Sequence, residues 1–144
     1  EVLKLFEPQI RERGIRLEAD LCAGLPLVHG DRGKLQQVLL NLLLNARDAV
    51  GDGGTVRVST YARGGAVVLE VVDDGVGIAE EDLSRIFDPF FTTKGRGKGT
   101  GLGLSISHGI VREHGGEMHV ESSPGEFTRF RVEIPASQPA RALA

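Results

Sequence analysis

Residues 73–78 read DDGVGI, two adjacent carboxylates and two glycines at the end of an apolar run. An ionised carboxylate only accepts hydrogen bonds, so one held in an apolar slot favours a partner with an amino donor. Adenine carries such a donor where guanine carries a carbonyl, so Asp73 in that setting selects adenine. A charge-assisted bond of this kind is worth about 1.5–3 kcal/mol. Gly75 and Gly77 would let the chain turn with positive φ and come close to a flat base. The same residues also describe an ordinary Asp-Gly turn, so a binding site needs further residues to support it.

A second stretch, FFTTKGRGKGTGLGLSI at residues 90–106, supplies them. Gly95, Gly97, Gly99 and Gly101 alternate with Arg96, Lys98 and Thr100, a composition expected of a mobile lid. Ten such residues span about 17 Å as a flexible chain, enough to fold over a triphosphate. A helix starting at Leu102 would aim the backbone N–H groups from Thr100 to Leu104, and its positive dipole end, at an anion. A solvated loop with casual charges is the competing description. The dinucleotide fingerprint is excluded, because no strand leads directly into the glycines and the third one, Gly103, comes a place early. The P-loop pattern fails because Leu35 follows Gly33-Lys34 and Gly99 follows Gly97-Lys98.

The third group is a pair of amides. On a helix, Asn41, Asn45 and Asp48 fall within about 60° of one another, a single polar strip with apolar residues, Leu40 and Leu44 included, on either side. A buried amide without a partner costs about 1–3 kcal/mol. Either these amides bond neighbouring backbone or they meet a ligand. A carboxamide oxygen suits Mg²⁺ but holds it only when phosphate oxygens and waters complete the octahedron.

The elements that must position these groups follow from periodicity. Leu3, Phe6 and Ile10 predict a helix within residues 1–13, weakened by Pro8. Ile15, Leu17, Ala19 and Leu21 alternate as a half-buried strand does. Asp31 is a candidate N-cap for a long helix marked by Leu35, Val38, Leu39, Leu42, Leu43, Ala46 and Val50 and stopped by the glycines of residues 51–54. Strands at 55–62 and 66–72 form a hairpin around Arg63-Gly64-Gly65. Short helices fit 80–87 and 102–114, and a last strand pair fits 117–122 and 128–134. Helices interspersed with antiparallel hairpins predict an α+β sandwich, with helices on one face of a mixed sheet.

At 144 residues the chain is one domain's worth, enough to bury roughly 70% of its unfolded surface. A net charge of −3 gives no basic field for nucleic acid or an acidic membrane. The single Cys22 excludes an internal disulfide and a cysteine-based zinc site. No apolar run approaches the ~20 residues a spanning helix needs. A cytoplasmic location without direct membrane insertion is expected, whether or not the parent is anchored in a membrane. Glu1 stands where a complete chain would carry Met, so a longer parent is expected. The domain is expected over 1–135, with a disordered tail at 136–144.

The ordered set NLLLNARDA, DDGVGI, IFDPFFTTK, GTGLGLSI and PGEFTRFRVEIP resembles the catalytic and ATP-binding domain of bacterial sensor histidine kinases. That superfamily includes the gyrase, heat-shock chaperone and mismatch-repair ATPases. The resemblance covers about residues 3–135. It implies a two-layer sandwich of the Bergerat type, with a mixed, mostly antiparallel sheet backed by three helices and a flexible ATP lid. It implies ATP and Mg²⁺, with Asn45 as metal ligand, Asn41 and Lys94 near the phosphates, and Asp73 on the adenine amine. Gly75, Gly77 and Ile78 would shape the base pocket; Phe87, Phe90 and Phe91 would anchor the lid. Thr92, Thr93, Gly99, Thr100, Gly101, Leu102, Gly103 and Leu104 would complete the phosphate cradle, with Thr128 where the family often has a threonine close to the pocket.

Two positions depart from the pattern. Asp48 stands where many members carry a basic residue, with Arg47 a weak substitute, and Phe127 stands where a glycine usually precedes Thr128. The superfamily's hydrolysing members hold a glutamate where this chain has Asn41, and an amide cannot take a proton from water, so hydrolysis should be slow. None of His29, His108, His114 and His119 is followed by an acid as the family's phosphorylated histidine is, and all four are expected to be structural or solvated. The implied activity is phosphotransfer from ATP to a histidine on a separate dimerisation domain of the parent, and onward to a response-regulator receiver. The alternatives are a nucleotide-sensing interaction module without transfer, or a slow ATPase.

Overall fold

The longest helix is set at both ends by short-range chemistry. Asp31 lies in extended conformation and its carboxylate accepts from the Lys34 N–H at 3.0 Å, satisfying one of the N–H groups a helix start leaves unpaired. Gly51, with φ +63°, ends it. In the computed structural model, which describes residues 2–89 and 103–137, the elements are α1 (Val2–Arg11), β1 (Arg16–Leu21), α2 (Arg32–Val50), β2 (Thr55–Arg63), β3 (Ala66–Asp73), α3 (Glu80–Leu83), α4 (Gly103–Glu113), β4 (Glu117–Ser123) and β5 (Phe127–Pro135). No helix among the described residues is long and apolar enough to cross a membrane.

The five strands make one sheet in the order β1-β2-β3-β5-β4, with β1 parallel to β2 and the other pairs antiparallel. The expected α+β sandwich is what forms. Gly64 and Gly65, both at positive φ, make the tight two-residue turn between β2 and β3. Alternate residues face the helices. One inward row is Ala19, Val58, Val71, Phe130 and Val120, read across the strands. Against these rows pack Phe6 and Ile10 of α1, Val38, Leu42, Leu43 and Ala46 of α2, and Ile110 and Val111 of α4. The outward face carries ion pairs instead, among them Arg57–Glu18 at 3.1 Å, Arg131–Glu133 at 3.2 Å and Arg129–Glu70 at 3.4 Å.

Two elements differ from expectation. β1 alternates as predicted but is an edge strand, and its far end is not half-buried: Leu21 is 54% exposed. The segment at 80–87 makes only one helical turn before a run of turns. None of α3's four residues is buried, and so short a helix without an inward face gains nothing to offset its nucleation cost. Beyond β5, Ala136 N–H donates to Gly65 O and Ser137 N–H to Leu27 O; residues 138–144 lie outside the described set.

Candidate nucleotide site

Asp73 closes β3 at the sheet's helix-facing side, where it is 4% exposed. Burial pushes its carboxyl group up to about 6; the Gly75 N–H, donating to it at 2.9 Å, works against that shift and the charge of Asp74 adds to it. The two adjacent carboxylates have different fates. Asp74 is exposed and accepts from the Thr55 N–H at 2.8 Å, tying the start of β2 to the end of β3.

The loop that follows is pressed against α2. Val76 N–H donates to the Ala49 carbonyl at 3.1 Å. A Cβ on Gly75 would run into Ala49 and stand 2.8 Å from Val50 N. Positive φ is therefore not what Gly75 supplies: of the two loop glycines only Gly77 has it, at +74°. Gly75 is small because α2's backbone occupies the space. A Cβ on Gly77 would stand 2.8 Å from the Pro124 Cα, and the β4–β5 turn holds the same loop through Gly125 N–H to Val76 O at 2.7 Å.

α2 carries the other half. Asn41, Asn45 and Ala49 are successive members of one i, i+4 row. The Asn41 amide nitrogen donates to Gly103 O at 3.3 Å and to Ser107 Oγ at 2.9 Å. A carbonyl can only accept, so this fixes the amide's orientation, and the oxygen is the atom a ligand would meet. The row thus touches the start of α4 at Asn41 and the Asp73 loop at Ala49, about 12 Å apart along the axis, with half-buried Asn45 one turn from each. Asp48 pairs with its neighbour Arg47 at 3.3 Å. Leu40, expected on an apolar flank, is 40% exposed.

Gly103 and Leu104 open α4. Ile78 N–H donates to Ser122 Oγ at 2.7 Å, and Thr128, 3% exposed, pairs in register with both Asp73 and Ser122. Phe87 stacks on His108 with ring centroids 4.6 Å apart. His114 accepts from the Asp31 N–H at 3.0 Å, and its other ring nitrogen lies 2.7 Å from Ile110 O. His119 pairs with Glu117 on the outward face. Phe90, Phe91, Thr92, Thr93, Lys94, Gly99, Thr100, Gly101 and Leu102, and with them the expected lid, lie outside the described residues.

Sequence reasoning missed Ser107 and Ser122. Ser107 is fully buried in α4 among apolar neighbours, and Ser122 takes an inward position on a strand whose other inward residues are Met118 and Val120. A polar residue at an apolar phase was the available signal.

The sequence profile described as histidine kinase-, DNA gyrase B- and HSP90-like ATPase matches residues 30–138. The chain is 41% identical over 135 residues to the sensor histidine kinase ZraS of Escherichia coli K12, a match covering 94% of this chain and 29% of that protein. It spans less than a third of the length of the curated relatives it matches. The catalytic domain of histidine kinase ThkA superposes with a TM-score of 0.83 at 37% identity, covering 94% of this chain and 88% of that one. Full-length ShkA in complex with AMPPNP superposes with a TM-score of 0.84 at 34% identity, over 96% of this chain and 29% of that one. With its five-strand sheet, buried Asp73 and two-amide row, the chain belongs to the histidine kinase-, DNA gyrase B- and HSP90-like ATPase family, as a sensor histidine kinase catalytic domain.

Proposed function

We propose that the chain binds Mg·ATP between α2, the loop after β3 and the start of α4, and donates the γ-phosphate to a histidine on a separate dimerisation domain of its parent. The observation that carries this is the single row on α2 that meets both the Asp73 loop and the start of α4, so that base and phosphate groups have one surface to share. A buried carboxylate with acceptor capacity left over fits the exocyclic amine of adenine. Gly75 and Gly77 let the loop seat closely against α2 and the β4–β5 turn, which fixes the wall of the base pocket. The oxygens of Asn41 and Asn45 are hard, neutral ligands, which fits Mg²⁺ shared with a triphosphate. Asn45 is the metal ligand in this reading; when bound, the metal neutralises charge on the phosphate oxygens. Gly103 and Leu104 offer the N–H end of α4 to the phosphates; Phe91, Thr92, Thr93, Lys94 and residues 99–102, expected to take part, lie outside the described residues.

The same residues argue for transfer over hydrolysis. Asn41 stands one turn before Asn45 and cannot accept a proton, so water meets no base at that position. A neutral imidazole brings its own lone pair and asks of the site only positioning and charge stabilisation. ShkA holds AMPPNP, which supports the nucleotide, and ThkA forms a complex with the response regulator TrrA, which supports a receiver as the downstream partner. The domain boundary is placed near residue 135, and a cytoplasmic setting follows from the need for ATP. Labelled ATP supplied to the chain together with the parent's histidine domain is expected to give acid-labile label on that domain. Tight nucleotide binding without label would replace the proposal with a nucleotide sensor, and brisk turnover by the chain alone would make it an ATPase.

A further inference from the structure

Ser122 closes the row that begins with Leu17, Val56, Asp73 and Thr128 across the sheet. Its hydroxyl oxygen has three polar neighbours: Phe127 O at 2.8 Å, Ile78 N at 2.7 Å and Thr128 Oγ1 at 3.1 Å. A hydroxyl has one hydrogen and two acceptor positions. The Phe127 carbonyl can only accept, so it takes the hydrogen. The Ile78 N–H can only donate, so it takes one acceptor position. The remaining position faces Thr128, whose hydroxyl must therefore be the donor in that contact. The hydrogen of Thr128 is thus directed toward β4 and away from Asp73, its partner on the other side in β5's register. On its side away from Ser122, the Thr128 hydroxyl oxygen has acceptor density alone to offer.

We propose that Ser122 is a positioning residue for base selection: by holding Thr128 as an acceptor, it makes the base end of the site a double acceptor, Asp73 carboxylate plus Thr128 hydroxyl oxygen, which admits a 6-amino purine and rejects a 6-oxo purine. This rests on the reading of Asp73 as the base-binding residue. An adenine amine has two hydrogens to satisfy such a pair, whereas the guanine 6-oxygen would face two acceptors and no donor. A site whose buried polar groups are left unpaired by the wrong ligand discriminates far more strongly than one of matching shape alone. A Ser122 that merely braces the β4–β5 turn would affect all nucleotides alike.

The test measures affinity of the chain for MgATP and MgGTP by displacement of a fluorescent ATP analogue. The native chain prefers ATP. Ser122→Ala frees the Thr128 hydrogen to turn toward a 6-oxygen, and the ATP-over-GTP ratio is expected to fall about three- to tenfold, the range of one neutral hydrogen bond. In the Thr128→Val background, which has no hydroxyl to orient, Ser122→Ala is expected to leave the ratio where it is. Equal weakening of both nucleotides by Ser122→Ala, or the same ratio change in both backgrounds, overturns the inference. Should Ser122→Ala fail to fold, the near-isosteric Thr128→Val decides alone: loss of ATP affinity with GTP unchanged supports the acceptor role, and equal loss of both refutes it. A native chain without ATP preference, on which Asp73→Asn has no effect, would overturn the base reading itself.

Discussion

The carboxyl group of Asp73 is largely withdrawn from water, and at neutral pH the nucleotide-free protein is less stable for it. Its value of about 6 against an ordinary 3.8 means that the native form keeps a proton the unfolded chain has already released between those two values. This residue's contribution to stability is therefore fully present below about pH 4 and is lost as pH rises through about 6. Asp73→Asn should raise the melting temperature of the nucleotide-free chain at about pH 8 and leave it nearly unchanged near pH 4, relative to the native chain, in parallel thermal scans. The same substitution should weaken ATP binding about 10- to 100-fold by calorimetry, the loss of one charge-assisted bond. ATP affinity of the native chain should fall as pH drops through about 6, because the protonated acid no longer presents two acceptor oxygens. The burial of Asp73 was legible from DDGVGI because the apolar run of β3 carries it into the sheet. Ser122 and the crowding at Gly75 were not, because each depends on which distant residue stands opposite: Thr128 in one case, Ala49 in the other.

α2 is the element on which the proposed site is assembled, and its placement is tested at its start. Asp31 caps it by its side chain and offers its own N–H to His114 at the end of α4, while Lys34 meets Glu113 at 3.3 Å. Asp31→Ala should cost about 1 kcal/mol in urea unfolding, the usual worth of such a cap. Gly75→Ala attacks the other end of the same helix and should cost about 1–3 kcal/mol, because the added carbon meets backbone and not a side chain that can swing aside. α2's boundaries were readable because Asp31, the apolar repeat and Gly51 all agree. The segment after Ile78 read longer than it is: Leu83, Ile86 and Phe87 share a helical phase, but Ile86 alone is buried, Phe87 packs against the core only in part and Leu83 does not join it, so packing does not sustain the helix.

At the scale of the whole molecule, the match to the family profile begins at residue 30, yet the physical unit begins earlier. Phe6 and Ile10 are 1% and 0% exposed, Ile15 is 3% exposed, and β1 pairs with β2 along all six of its residues. Burying each such side chain is worth about 1.5–3 kcal/mol, which is a large part of a domain's net stability. A chain starting at His29 should lose its cooperative unfolding transition by circular dichroism, although every candidate site residue remains in it. The mixed α+β class was visible in the alternation of periods. The strand order was not, because β5 inserts between β3 and β4 and no local pattern encodes that insertion.

The turn between β4 and β5 grips Val76 and Gly77, and this sets a timetable. During synthesis Asn41, Asn45 and Asp73 all leave the ribosome long before residues 123–126 exist to close over the loop that carries the acid. On the proposed site, nucleotide is not expected to act as a template for the early chain; affinity is expected late, when the final hairpin docks. Nascent chains stalled ahead of Glu117 should pass through an ATP resin unretained, and those stalled with β5 clear of the exit tunnel should stay on it.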